Sequence, residues 1–241
     1  MSNPVLNRAL NNIEYTPSGV EVPQIATRKM TVEGTMNRTM TLFVVFLVAA
    51  LVTWQLQLID FIFPAMIVGL GLALWATFSK KVRVGVLLAY ALVQGVFVGG
   101  ISLIFETVYE GIVMTALSAT LITAGIMFVA YRQRWIRVTS KFRQIVTFAL
   151  LGYMGFAIVN LLVAVFTGNS AYSSSIGWLI ALAGVGLASV TLVLDFADIE
   201  QAAQAGVDAD FEWRLAFGLM VTLIWMYIEI LRLLAILRGN D

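Results

Sequence analysis

The chain of 241 residues has no cysteine and no histidine. The first absence excludes disulfides, thiolate metal sites, cysteine nucleophiles and palmitoylation. The second removes every histidine-dependent mechanism, including the usual switch near neutral pH. Charge is scarce as well: Asp, Glu, Lys and Arg make up 12% of the residues, against about 25% in an ordinary soluble domain. The fifteen Lys/Arg nearly cancel the fourteen Asp/Glu, for a net charge of +1. A nucleic-acid binder with a basic face is thereby excluded, and bulk charge points to no polyanion partner. Proline occurs four times, and three of the four lie before residue 24.

What remains is apolar, at 60% of the chain. A helix needs roughly 20 mostly apolar residues to cross a bilayer core of about 30 Å. Seven such runs lie near Met40–Leu58, Phe61–Phe78, Val84–Phe105, Ile112–Tyr131, Ile145–Phe166, Ile176–Asp198 and Leu215–Leu237. They are continuous rather than short and alternating, so they predict helices and not barrel strands. The expected fold is an all-α membrane protein with seven transmembrane helices over residues 38–241. Residues 1–37, with Pro4, Pro17 and Pro23 and no long apolar run, read as a flexible cytoplasmic tail and not as a signal peptide. Only Ile59-Asp60 separates the first two runs, which predicts a tight hairpin, with Pro64 in the first turn of the second helix.

Basic residues set the orientation. Arg28, Lys29 and Arg38 precede the first run, Lys80, Lys81 and Arg83 follow the second, and Arg132, Arg134, Arg137, Lys141 and Arg143 follow the fourth. The alternate connections carry Asp60, then Glu106 and Glu110, then no charge over Thr167–Ser175. The amino terminus is therefore expected in the cytoplasm, and the acidic Glu200–Arg214 connection with it. Trp54, Trp75, Trp135, Trp178 and Trp213 fall near run ends, where amphipathic rings prefer to sit. Trp225 is mid-run and is expected to pack between helices. Gly95 and Gly99 form a small-xxx-small pair for close helix approach, as do the small residues Gly177, Gly184, Gly186, Ala188 and Ser189 of the sixth run. Gln94 is expected to make an interhelical hydrogen bond. The basic Tyr131–Arg143 stretch reads first as a topology determinant and second as a contact for anionic headgroups.

Nearly all charge lies outside the runs. The exceptions are Asp195 and Asp198 in the sixth and Glu229 and Arg232 in the seventh. A charge inside a membrane span costs at least about 2.5–3.5 kcal/mol and normally faces protein or a water path. Two readings stand side by side. In one, Glu229 and Arg232, three residues apart on one helical face, neutralise each other while Asp195 and Asp198 reach the cytoplasmic headgroups. In the other, carboxylates from both helices converge inside the bundle. Two carboxyls meeting out of water cannot both ionise and titrate as a coupled pair. No nucleophile–base pair, phosphate loop or metal cluster is visible, so no enzyme and no cofactor is expected.

The runs Thr191–Ile199 (TLVLDFADI) and Met226–Leu234 (MYIEILRLL) resemble the carboxyl-terminal signature of the Bax inhibitor-1 family in its bacterial branch. The glycine-rich third run with Ser102 resembles that family too. The resemblance implies six helices around a central seventh and a pH-sensitive calcium leak in a bacterial cytoplasmic membrane. It implies two aspartates that share a proton in the closed state, and an arginine latch at the end of the second helix. Asp195 falls on the first aspartate and Glu229 on the second, a departure of one methylene. The latch falls on Ser79, with Lys80 next to it as a substitute point charge. Arg232 stands where the family has a neutral polar residue, and Arg232, Asp198 and Lys80 are candidate modulators. Ca²⁺ is implied as a permeant ion held transiently near Asp195 and Glu229, with protons and membrane lipid as the other partners. The alternative is a membrane protein that regulates other membrane proteins, such as a quality-control protease, without transport. Depth weighs against direct pairing: at 1.5 Å per residue, Asp195 lies about 12 Å to the cytoplasmic side of the midplane and Glu229 about 4–5 Å beyond it.

Overall fold

The computed structural model describes residues 28–79 and 81–239. Among them are seven helices long and apolar enough to cross a membrane. We label them α1 (Val32–Leu56), α2 (Ile62–Phe78), α3 (Val84–Val108), α4 (Ile112–Arg132), α5 (Ser140–Thr167), α6 (Gly177–Ala205) and α7 (Phe211–Gly239). Short 3₁₀ turns at Ile59–Phe61 and Ala171–Ser173 lead into α2 and α6. The protein is an all-α, multi-pass membrane protein. Pro64 sits in the first turn of α2, where its missing N–H leaves nothing unsatisfied.

All the helices but α2 are longer than the apolar runs, and the largest difference is at the start. Residues 28–37, assigned to the tail from sequence, are structured. The Thr31 hydroxyl caps α1 by accepting from the Gly34 N–H at 2.9 Å. Upstream, Met30 N–H donates to the Val207 carbonyl and Ala209 N–H to the Arg28 carbonyl, both at 2.8 Å. A polar segment thus gains order from the α6–α7 connection, a partner that hydropathy does not reveal. Residues 1–27 of the expected tail lie outside the described residues.

Helix α7 is the central one, with the largest buried share of any span. It packs against α6, α1, α4 and α3. α2 lies outside α3, and α5 lies outside α6 with Val146 as its one buried residue. The core is a continuous apolar cluster that includes Leu42, Ala91, Ile112, Leu192, Met220 and Leu231.

Close approach of α1 and α3 depends on the predicted glycines. A Cβ on Gly95 would overlap the Phe46 carbonyl, and one on Gly99 would lie 2.7 Å from the Ala50 carbonyl oxygen. Gly100 makes room for Ile62 of α2 in the same way. Gln94 is half-buried against Gly69 of α2 but makes no side-chain hydrogen bond among the described residues, contrary to expectation. Gly69 leaves it a notch to lie in and offers no free polar group.

Candidate functional site

The charged residues of α6 and α7 form two separate places. Glu229 is 3% exposed and faces the groove between α6 and α5. Its carboxylate accepts four hydrogen bonds. Tyr153 of α5 donates to Oε1 at 2.8 Å, and Trp225, one turn earlier on α7, donates its indole N–H at 3.1 Å. Arg232 donates one guanidinium nitrogen to Oε1 at 3.0 Å and Oε2 at 2.9 Å. Tyr172 completes the cluster: its hydroxyl is 3.0 Å from that of Tyr153, and its ring lies 4.3 Å below the Arg232 guanidinium. Gly184 of α6 leaves the space, since a Cβ there would lie 2.5 Å from the Tyr153 hydroxyl and 2.9 Å from the Glu229 carboxyl carbon. The neutralisation of Glu229 by Arg232 was legible from their spacing. Tyr153, Tyr172 and Gly184 were not, because they come from three other segments with no fixed sequence offset to Glu229.

Asp195 has the opposite character. Its Oδ2 is buried and has no hydrogen-bond partner. The residue faces Thr222 of α7, whose hydroxyl donates to the Gly218 carbonyl at 3.3 Å, and Asp198 is a neighbouring charged group. Buried polar atoms are nearly always paired, so an orphaned carboxylate oxygen inside a span calls for a role.

The expected convergence of Asp195 and Glu229 does not occur. Glu229 packs on Gly184, eleven residues before Asp195 on α6, while Asp195 faces a residue seven positions before Glu229 on α7. The two carboxyls are therefore roughly 10–16 Å apart along the helix axes. Two antiparallel helices hold the depth difference that their lengths dictate, and nothing in the connection cancels it. At that offset a single calcium ion, with ligands at about 2.3–2.6 Å, does not touch both carboxyls. Asp198 does not reach outward alone: it forms a 2.5 Å ion pair with Arg143 of α5. No three Asp or Glu side chains come together to hold a metal ion among the described residues.

The latch expectation also changes. Lys80 lies outside the described residues. The end of α2 is tied to α7 from the other side, by Arg214 donating to the Ser79 carbonyl at 2.5 Å. Two further sets of contacts were not legible in the sequence. Glu212, fully buried at the start of α7, accepts from the Thr31 N–H at 3.0 Å, the Thr31 hydroxyl at 3.3 Å and Arg38 Nε at 2.8 Å. It lies at the amino-terminal end of α1, where a negative charge meets the unpaired N–H groups. Ser102 and Tyr227 share a buried hydroxyl–hydroxyl bond of 2.7 Å between α3 and α7.

Seven apolar helices, the carboxyl-terminal one central, with acidic side chains buried in the last two, define a polytopic helical membrane protein with an ionisable interior. The model of the family described as Bax inhibitor 1 like matches residues 3–239, and the chain belongs to that family. No curated protein matches the sequence.

Proposed function

We propose that the protein is a pH-sensitive calcium leak of the bacterial cytoplasmic membrane, with its amino terminus in the cytoplasm. The observation that carries this reading is the buried Oδ2 of Asp195, without a partner inside a span. An unpartnered carboxylate oxygen takes up a proton or contacts a passing hard cation such as Ca²⁺, which prefers oxygen ligands. Asp195 is the responsive group in this reading. Glu229, which accepts four hydrogen bonds, is a lock that ties Tyr153 of α5 to α7. Basic residues gathered at one end of the bundle support the orientation.

The test is calcium efflux from loaded liposomes containing the purified chain. We expect a rate that changes by roughly tenfold over the two pH units in which one group titrates. Asp195→Asn should flatten that dependence. Glu229→Gln should raise the basal rate at every pH, because Arg232 and Tyr153 lose the charge that holds them. A folded protein with no flux, or with a pH profile unchanged by Asp195→Asn, overturns the leak. Specific retention of a membrane protease in affinity capture, without flux, would establish the regulatory alternative.

A further inference from the structure

A cavity of about 620 Å³ opens at the amino-terminal end of the bundle, where the last turns of α4 and α6 meet the first turns of α1. That size lies within the roughly 300–1,000 Å³ of small-molecule sites. Its polar wall carries Arg132, Arg134 and Arg137. None of the three makes an ion pair among the described residues, because the nearby acids are engaged elsewhere. Glu200, the one carboxylate in the cavity wall, accepts from the Tyr131 hydroxyl and from Gln204 at 3.2 Å. Asp198 is held by Arg143. The opposite wall is apolar and comes from the spans themselves, through Val32, Met36, Phe128 and Phe196.

The backbone beneath the arginines is specialised. α4 ends in a Schellman turn, with Trp135 N–H donating to the Ala130 carbonyl and Arg134 N–H to the Tyr131 carbonyl, each at 2.9 Å. The left-handed position of that turn is normally glycine. Here it is Arg134, at φ +58°. A long cationic side chain is kept where a side chain is strained, and such outliers gather at ligand sites. The next residue, Trp135, is 74% exposed, as befits a ring at headgroup depth.

We propose that this cavity binds the phosphate of an anionic phospholipid, with the arginines on the phosphate oxygens and the upper acyl chain against the apolar wall. Guanidinium forks match phosphate oxygens in geometry as well as in charge. The apolar wall, continuous with the membrane-spanning surface, selects a lipid over a free phosphate. The site is separate from Asp195 and Glu229 and stands whether or not the protein conducts calcium.

The experiment is native mass spectrometry of the full chain released from micelles containing equal phosphatidylglycerol and phosphatidylcholine. We expect phosphatidylglycerol adducts to predominate by at least about tenfold, and Arg134→Gly or Arg137→Gln each to cut that preference about fivefold, the effect of one basic residue near an anionic lipid surface. Arg134→Gly relieves the backbone, so its melting temperature should equal or exceed that of the parent, and a lost preference is then not a lost fold. Lys141→Gln, a charge change outside the cavity wall, should leave the preference within about twofold. Equal adducts of the two lipids overturn the proposal, as does a loss in Lys141→Gln as large as in Arg134→Gly. Full displacement of the lipid by inorganic phosphate, with the same thermal protection from phosphate alone, overturns the lipid assignment.

Discussion

Glu229 and Asp195 are both carboxylic acids on neighbouring helices, yet their surroundings give them different work. Glu229 has an aromatic hydroxyl, an indole N–H and a guanidinium around it, so its charge is fully answered. Asp195 keeps an oxygen out of water with nothing to receive. Breaking the first arrangement should cost stability. Arg232→Met leaves a buried carboxylate short of its cation, which costs about 3–5 kcal/mol for fully buried pairs. Because Arg232 is 32% exposed, the lower end of that range is expected. Gly184→Ala should act from the other side by pushing a methyl group between Tyr153 and Glu229. Both variants should lower the melting temperature in detergent, and an unchanged value for both would remove the cluster from any role as a lock.

At the scale of the element, the decisive quantity is how closely two helices approach. Without water to drive association, helices in lipid depend on packing, and small residues set the distance. Gly95 and Gly99 let α3 lie against the α1 backbone. Gly125 of α4 has nothing within 4 Å of where its Cβ would be. Gly99→Ala is therefore expected to destabilise by about 1–3 kcal/mol, the usual cost of overpacking. Gly125→Ala should be neutral or slightly stabilising, since alanine favours the helix. Thermal denaturation of the two variants side by side checks the pair. Spacing alone marked Gly95 and Gly99 as packing residues, but α1 as their partner came only from the fold.

At the scale of the molecule, the amino-terminal end is joined by a clasp. Glu212 binds Thr31 and Arg38, residues 28–30 pair with the α6–α7 connection, and Gly34 leaves room for the Glu212 carboxylate. The first and last helices are thereby connected through one fully buried acid. Glu212→Ala should free the segment around Arg28 and Lys29 for trypsin while the seven spans remain. Limited proteolysis read by mass spectrometry measures this, and protection equal to the parent would mean that the clasp does not hold that segment.

The seven helices, the hairpin at Ile59-Asp60, the Gly95/Gly99 contact face and the Glu229–Arg232 pair were all legible in the sequence, whereas Gly186, marked with them, has nothing within 4 Å of where its Cβ would be. Each follows from a local rule: run length against bilayer thickness, or side chains three or four residues apart on one helix. The partners of Glu229 on other segments, the isolation of Asp195, the Glu212 clasp and the arginine-lined cavity were decided by tertiary structure. Each depends on which helices become neighbours and at what axial offset, and no local spacing encodes that. The sequence named the two acids, but the antiparallel packing of α6 on α7 set how far apart they stand.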